Sequence, residues 1–222
     1  MAVNPPVTQQ ITRTSQERPN KSAEVDISAL RDCIVFDRHG EKILFRSLYE
    51  NKKAILIFVR HFLCYTCKEY VEDLAKIPKC FLSDADVRLI VIGQSSYQHI
   101  EAFRSITGYQ HYIYVDPDKE IYKTLGMKKD ETFTREGSQS PHVKSNGFSG
   151  SIKSIWRAMS SPAFDFQGDP KQQGGALILG PGDNIHFAHY DMNSLDHMPI
   201  NELLQLAGVQ TVDFKNNQII TV

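Results

Sequence analysis

Two stretches of this chain, Ala54–Arg60 (Ala-Ile-Leu-Ile-Phe-Val-Arg) and Val87–Gly93 (Val-Arg-Leu-Ile-Val-Ile-Gly), set one apolar residue after another with almost no polar alternation. Successive side chains of a strand point to opposite faces, so a strand with one wet face alternates. An unbroken apolar run needs cover on both faces, the condition of strands inside an α/β sheet. The residues between the runs supply that cover. Cys64, Cys67, Val71, Leu74 and Ala75 recur at three- and four-residue steps, with Glu69, Glu72, Asp73 and Lys76 on the other side, which predicts an amphipathic helix ending near Pro78. Ser95 and Ser96 offer caps ahead of a second helix through Ile100, Phe103 and Ile106. Tyr112–Val115 reads as a short strand and Lys119–Gly126 as a short helix closed by glycine. Strand, helix, strand and helix in succession point to a layered α/β sheet with parallel strands.

The flanks complete the outline. Cys33 to Phe45 holds two β-prone runs around Gly40, an N-terminal hairpin. Gly174-Gly175 leads into Ala-Leu-Ile-Leu, and Ile185–Tyr190 follows a Pro-Gly-Asp-Asn turn, a closing hairpin before a last helix over Pro199–Leu206. Residues 127–148 form a polar loop inserted before that hairpin, and Ile152, Ile155, Trp156 and Met159 then share a helical face, with the tryptophan read as packing. We expect a disordered tail over 1–25, one domain over 26–208 and an extended tail over 209–222. The chain has 222 residues, 41% of them hydrophobic, enough to bury one full core. A net charge of -1 provides no field to gather nucleic acid or anionic lipid. No apolar run approaches the roughly 20 residues that span a bilayer. The polar start lacks the apolar stretch of a secretory signal. The expectation is a cytoplasmic or nuclear protein that binds neither nucleic acid nor membrane.

In such a compartment the four cysteines, Cys33, Cys64, Cys67 and Cys80, are not a disulfide framework. Cys64 and Cys67 form a Cys-x-x-Cys where a buried strand runs into an amphipathic helix, the arrangement of a thioredoxin-like redox motif. The first sulfur meets free backbone N–H groups at the positive helix end, which favours its thiolate, and the second lies one turn on, in reach to close a disulfide. Arg60, His61 and Lys68 flank the pair and add positive charge. Two other readings stay open: two small apolar thiols packed in a core, or part of a zinc site. Zinc lacks a second close ligand pair, since Cys33 and Cys80 are scattered and His186 and His189, three apart on a strand, face opposite ways. Cys33 and Cys80 read as bystanders, His61 as a cover for the site, His99 as a helix-surface residue and Asp196-His197 as a solvated loop.

The segment Phe58-Val-Arg-His-Phe-Leu-Cys-Tyr-Thr-Cys-Lys-Glu-Tyr-Val-Glu-Asp-Leu, with Val91-Ile-Gly-Gln-Ser, Ile113-Tyr-Val-Asp-Pro and Gln173-Gly-Gly-Ala-Leu-Ile-Leu-Gly, resembles the peroxiredoxin-like 2 family over roughly residues 26 to 222. The resemblance implies an α/β, thioredoxin-like fold with a central mixed sheet flanked by helices. It also implies a thiol-dependent peroxidase or reductase in which Cys64 attacks and Cys67 resolves. One relative in the family is a prostamide/prostaglandin F synthase with a similar Cys-x-x-Cys. Typical peroxiredoxins carry Thr three residues before the attacking cysteine, where this chain has His61, and Thr66 lies between the cysteines instead. They also carry Arg near the start of the late core strand, where thioredoxins have a cis-proline and this chain has Gly174-Gly175. The expected function is a thiol oxidoreductase with no bound cofactor, regenerated by an external thiol reductant, thioredoxin or glutathione. The alternative is a redox-sensing or scaffold protein with signalling partners. Because residues 1–25 cannot bury surface, deleting them is expected to leave the melting temperature within about 2 °C, whereas a docked segment worth about 1 kcal/mol would move it by about 2–4 °C.

Overall fold

The computed structural model of the protein describes residues 27–129, 140–142 and 168–214. The expected tail at 1–25, the part of the expected 209–222 tail beyond residue 214, and the helix through Trp156 lie outside the described residues. Seven strands form one mixed sheet: β1 (Ile34–Phe36), β2 (Lys42–Leu44), β3 (Lys53–Phe58), β4 (Val87–Gly93), β5 (Tyr112–Val115), β6 (Gly175–Leu179) and β7 (Ile185–Tyr190). Their order is β2-β1-β5-β4-β3-β6-β7. β3 pairs parallel with β4 from Lys53↔Val87 to Phe58↔Ile92, and antiparallel with β6 from Ala54↔Leu179 to Phe58↔Gly175. β1–β2 and β6–β7 are the two hairpins at the sheet's edges.

The lack of alternation in β3 and β4 has the anticipated cause. Ile55, Ile57, Leu89, Val91, Ala176 and Ile178 join one hydrophobic cluster, while Ala54, Leu56, Ile90, Ile92, Leu177 and Leu179 join another on the opposite face. The first face is covered by α1 (Tyr65–Leu74), α2 (Lys79–Asp84), α3 (Ile100–Thr107) and α5 (Ile200–Ala207) through side chains such as Val71, Leu82, Phe103 and Leu203. The second is covered by the turns at Ile27–Leu30 and Phe45–Leu48 and by α4 (Glu120–Thr124), whose Tyr122 donates its hydroxyl hydrogen to the carbonyls of Val59 and Ile92, each 2.8 Å away. None of the helices is long and apolar enough to cross a membrane, among the described residues.

Several local expectations change. Pro78 does not close α1, which ends at Leu74, but heads the short helix α2, and Cys80 sits exposed on that helix. Ser96 precedes a single 3-10 turn, Tyr97–His99, that runs on into α3 without a side-chain cap bond. Glu69 and Asp73, assigned to the wet side of α1, are buried; Asp73 is covered by residues 140–142 of the insertion, with His142 Nδ1 2.9 Å from Asp73 Oδ2 and His142 Nε2 accepting the N–H of Ile200 at 3.2 Å. Past Gly208 the chain still packs, with Val209 and Val212 buried and Val212 tied to Asn201 through two hydrogen bonds.

At the start of β6 the backbone comes so close to β3 that only glycine fits: a Cβ on Gly174 would stand 2.0 Å from the Phe58 carbonyl oxygen. Gly174→Ala is therefore expected to pry β6 from β3 and to cost about 1–3 kcal/mol in denaturant unfolding, as overpacking does. Leu206→Ala, at a 49% exposed position, should stay within about 0.5 kcal/mol.

Candidate active site

The C-terminal end of β3 delivers Arg60 and His61 into a tight turn, in which Cys64 N–H donates to the His61 carbonyl at 3.0 Å. That turn places Cys64 as the N-cap of α1, with extended backbone and its sulfur accepting the N–H of Cys67 at 3.5 Å. The cap position that Ser or Asp commonly fills is thus filled by a sulfur, and a helix N-terminus prefers an anion there. Three more groups converge on the two sulfurs. The Thr66 hydroxyl lies 3.1 Å from Cys64 Sγ, Arg60 Nη1 approaches the same sulfur at 3.7 Å, and the backbone N–H of Arg60 donates to Cys67 Sγ at 3.4 Å.

The Cys64 thiol is held well below the ordinary cysteine range, first by a hydrogen bond from the Cys67 thiol and then, against the penalty of burial, by the positive charge of Arg60, by His61 and by Thr66. Burial pushes the Cys67 thiol well up, and its bond to Cys64 and the charge there push it further. Of the two sulfurs, Cys64 is thus the one whose surroundings favour the anion, and Cys67 the one held as its hydrogen-bond donor. Cys64 is 5% exposed and Cys67 fully enclosed, so a reactant arriving from solvent meets Cys64 first.

Of the residues singled out in sequence, the structure gathers Arg60, His61 and Thr66 around Cys64 and turns Lys68 away, one turn down α1 into an ion pair with Glu72. His61 is buried and its imidazole pKa is lowered, chiefly by burial, so Arg60 is the stronger source of positive charge. Arg60 itself is fixed by carbonyls: its Nε donates to Gln172 O at 3.3 Å and its Nη2 to Pro170 O. Gln94 clamps this strap by donating to Arg60 O and Asp169 O while accepting the Asp169 N–H at 3.1 Å, and Lys119 and Lys129 pair with the Asp169 carboxylate.

The loop after β7 departs from expectation. Asp196 and His197 are buried rather than solvated, because the loop folds back under α1. His197 Nδ1 is 2.7 Å from Asp191 Oδ2, its ring lies 4.9 Å from that of Tyr70, and the charge of Cys64 acts on it. The available signal was the density of His189, Asp191, Asp196 and His197 within nine residues; what it could not show was which way they point. Among the described residues, no three His, Cys, Asp or Glu side chains stand together as a metal site.

The sequence pattern of the AhpC/TSA antioxidant enzyme family matches residues 73–193, a span that begins past the cysteine pair. Peroxiredoxin-like 2C of Bos taurus is 60% identical over 213 residues, 94% of this chain and 93% of that protein. Prostamide/prostaglandin F synthase of Xenopus tropicalis is 26% identical over 191 residues, 84% of this chain and 90% of that protein. Among solved structures, peroxidoxin BcpB from Mycobacterium tuberculosis superposes with a TM-score of 0.52 at 8% identity, covering 79% of this chain and 89% of that one, which shows a shared peroxiredoxin-like fold.

The unequal sulfurs give a direct expectation. At pH 7, iodoacetamide should modify Cys64 at least about tenfold faster than Cys67, the factor that one pKa unit provides. Both lie in the tryptic peptide 61–68, where fragment ions tell them apart; faster labelling of Cys67 would reverse the assigned roles.

Proposed function

The chain belongs to the peroxiredoxin-like 2 family of AhpC/TSA proteins, and from that footing we propose that it is a thiol oxidoreductase in which Cys64 attacks a peroxide or disulfide and Cys67 resolves. The observation that carries this reading is the Cys64 sulfur serving as the cap of α1 while Arg60, Thr66 and the Cys67 N–H all bear on it. With a hydroperoxide, the thiolate forms an S–O bond to one oxygen as the O–O bond breaks. The other oxygen leaves with a proton as an alcohol or water, and sulfur is oxidised to the sulfenic acid. The Cys67 thiol then attacks Cys64 sulfur, the S–O bond breaks, and water departs as the disulfide closes. An external dithiol, thioredoxin, or two molecules of glutathione, returns the pair to thiolate and thiol by exchange, and no bound cofactor is needed.

Enclosure of both sulfurs favours a second reading, a redox sensor that is oxidised once and signals through partners without significant turnover. Purified protein with thioredoxin, its reductase and NADPH separates the two. The enzyme reading expects NADPH consumption that depends on added hydroperoxide and is lost in Cys64→Ser. The sensor reading expects one equivalent of internal disulfide and no continuing consumption. Absence of both would sink the function proposed here.

A further inference from the structure

Oxidation of Cys64 by a hydroperoxide requires a proton for the departing oxygen, and Cys64, as the thiolate, has none to give. Arg60 holds its protons too firmly to release one. The neighbouring thiol keeps its own for the resolving step. One group beside the site has the form of a donor. His197 is 6% exposed, its Nδ1 is engaged by Asp191 at 2.7 Å, and its Nε2 is buried with no hydrogen-bond partner among the described residues.

Three observations set this pair against the cysteines. The His197 ring packs on Tyr70, which stands three residues after Cys67 on α1. Asp191 lies where β6 meets the end of β3, its Oδ2 3.3 Å from the position a Gly174 Cβ would take, a few residues from the turn that carries Cys64. The charge that the site favours on Cys64 acts on the His197 ring itself. A buried ring nitrogen left without a partner is costly, and a catalytic role is one reason such a group persists in a native protein.

We propose that His197, oriented by Asp191, is the general acid of the peroxide step and donates its Nε2 proton to the oxygen that leaves as Cys64 is oxidised. This rests on the thiol-peroxidase reading above. Although burial lowers the tendency of the ring to hold a proton, the charge and hydrogen bond of Asp191 outweigh it, and the His197 pKa lies above its ordinary value. The cycle balances. Thiolate, imidazolium and ROOH give Cys64 sulfenic acid, neutral imidazole and ROH; Cys67 thiol and the sulfenic acid give disulfide and water. Of the two protons from the reducing dithiol, one returns to Cys67 and the other to His197.

The test exploits leaving groups. Alkylation by iodoacetamide expels iodide and oxidation by peracetic acid expels acetate, and neither departure needs a proton, whereas tert-butyl hydroperoxide must release an alcohol. In single-turnover oxidation of the full chain, His197→Gln should slow reaction with tert-butyl hydroperoxide about 100-fold, within the range that general acids contribute. Reaction with peracetic acid and iodoacetamide should change less than about threefold, the sign that Cys64 is still a thiolate in a folded site. Asp191→Asn, nearly isosteric, should show the same selectivity and provides the measurement should the histidine variant fail to fold. Equal slowing with all three reagents would overturn the proposal and leave His197 a packing residue. A wild-type protein that is alkylated rapidly and oxidised by peracetic acid, but inert to the hydroperoxide, would instead overturn the peroxidase reading and the general acid with it.

Discussion

Everything at the cysteine site depends on β3. Its backbone is hydrogen-bonded on both sides, to β4 and β6, and its side chains are buried on both faces, so its C-terminal end is fixed from four directions. A chain emerging from so constrained a strand has few ways to go, and the turn from Arg60 to Cys64 starts α1 with a sulfur where a cap belongs. The chemistry is local, but the accuracy with which Arg60 N–H meets Cys67 and the Arg60 side chain meets Cys64 comes from the strand. This is the usual advantage of siting reactive groups at the ends of rigid elements.

Around that fixed point the second tier of contacts is polar and comes from distant sequence. The strap at 168–173 holds Arg60 by carbonyls, Gln94 at the end of β4 bolts the strap to the Arg60 backbone, and Asp169 is pinned by lysines from two other segments. Residues 140–142 bind α1 to α5 through His142, which bonds Asp73 with one ring nitrogen and the Ile200 N–H with the other. Buried polar networks of this kind specify one arrangement when every member is satisfied.

The parts legible in the sequence are those fixed by local pattern. Ala54–Arg60 and Val87–Gly93 announced core strands because burial on both faces removes alternation, and the Cys64–Cys67 spacing announced paired sulfurs because one helical turn separates them. The parts not legible were decided by who covers whom. Glu69 and Asp73 look solvent-facing on α1 because the wheel shows only the side turned from the sheet, and nothing in the helix reveals that His142 will reach Asp73. His197 resembles any loop histidine until the chain folds back beneath Tyr70. The helix at Lys79 was missed because Pro78 is as good a beginning as an ending.

The carbonyl strap on Arg60 has an electrical meaning. Carbonyl dipoles orient a guanidinium without cancelling its charge, as a carboxylate would, so Arg60 keeps that charge 3.7 Å from the Cys64 sulfur and favours an anion there. If Cys64 and Cys67 close a disulfide, as proposed, the anion favoured there is lost and the guanidinium is left without it in a largely enclosed site, at an energy the reduced state does not incur. On the proposed reading, such a site would favour the reduced pair and place the couple toward the oxidising end of the dithiol scale.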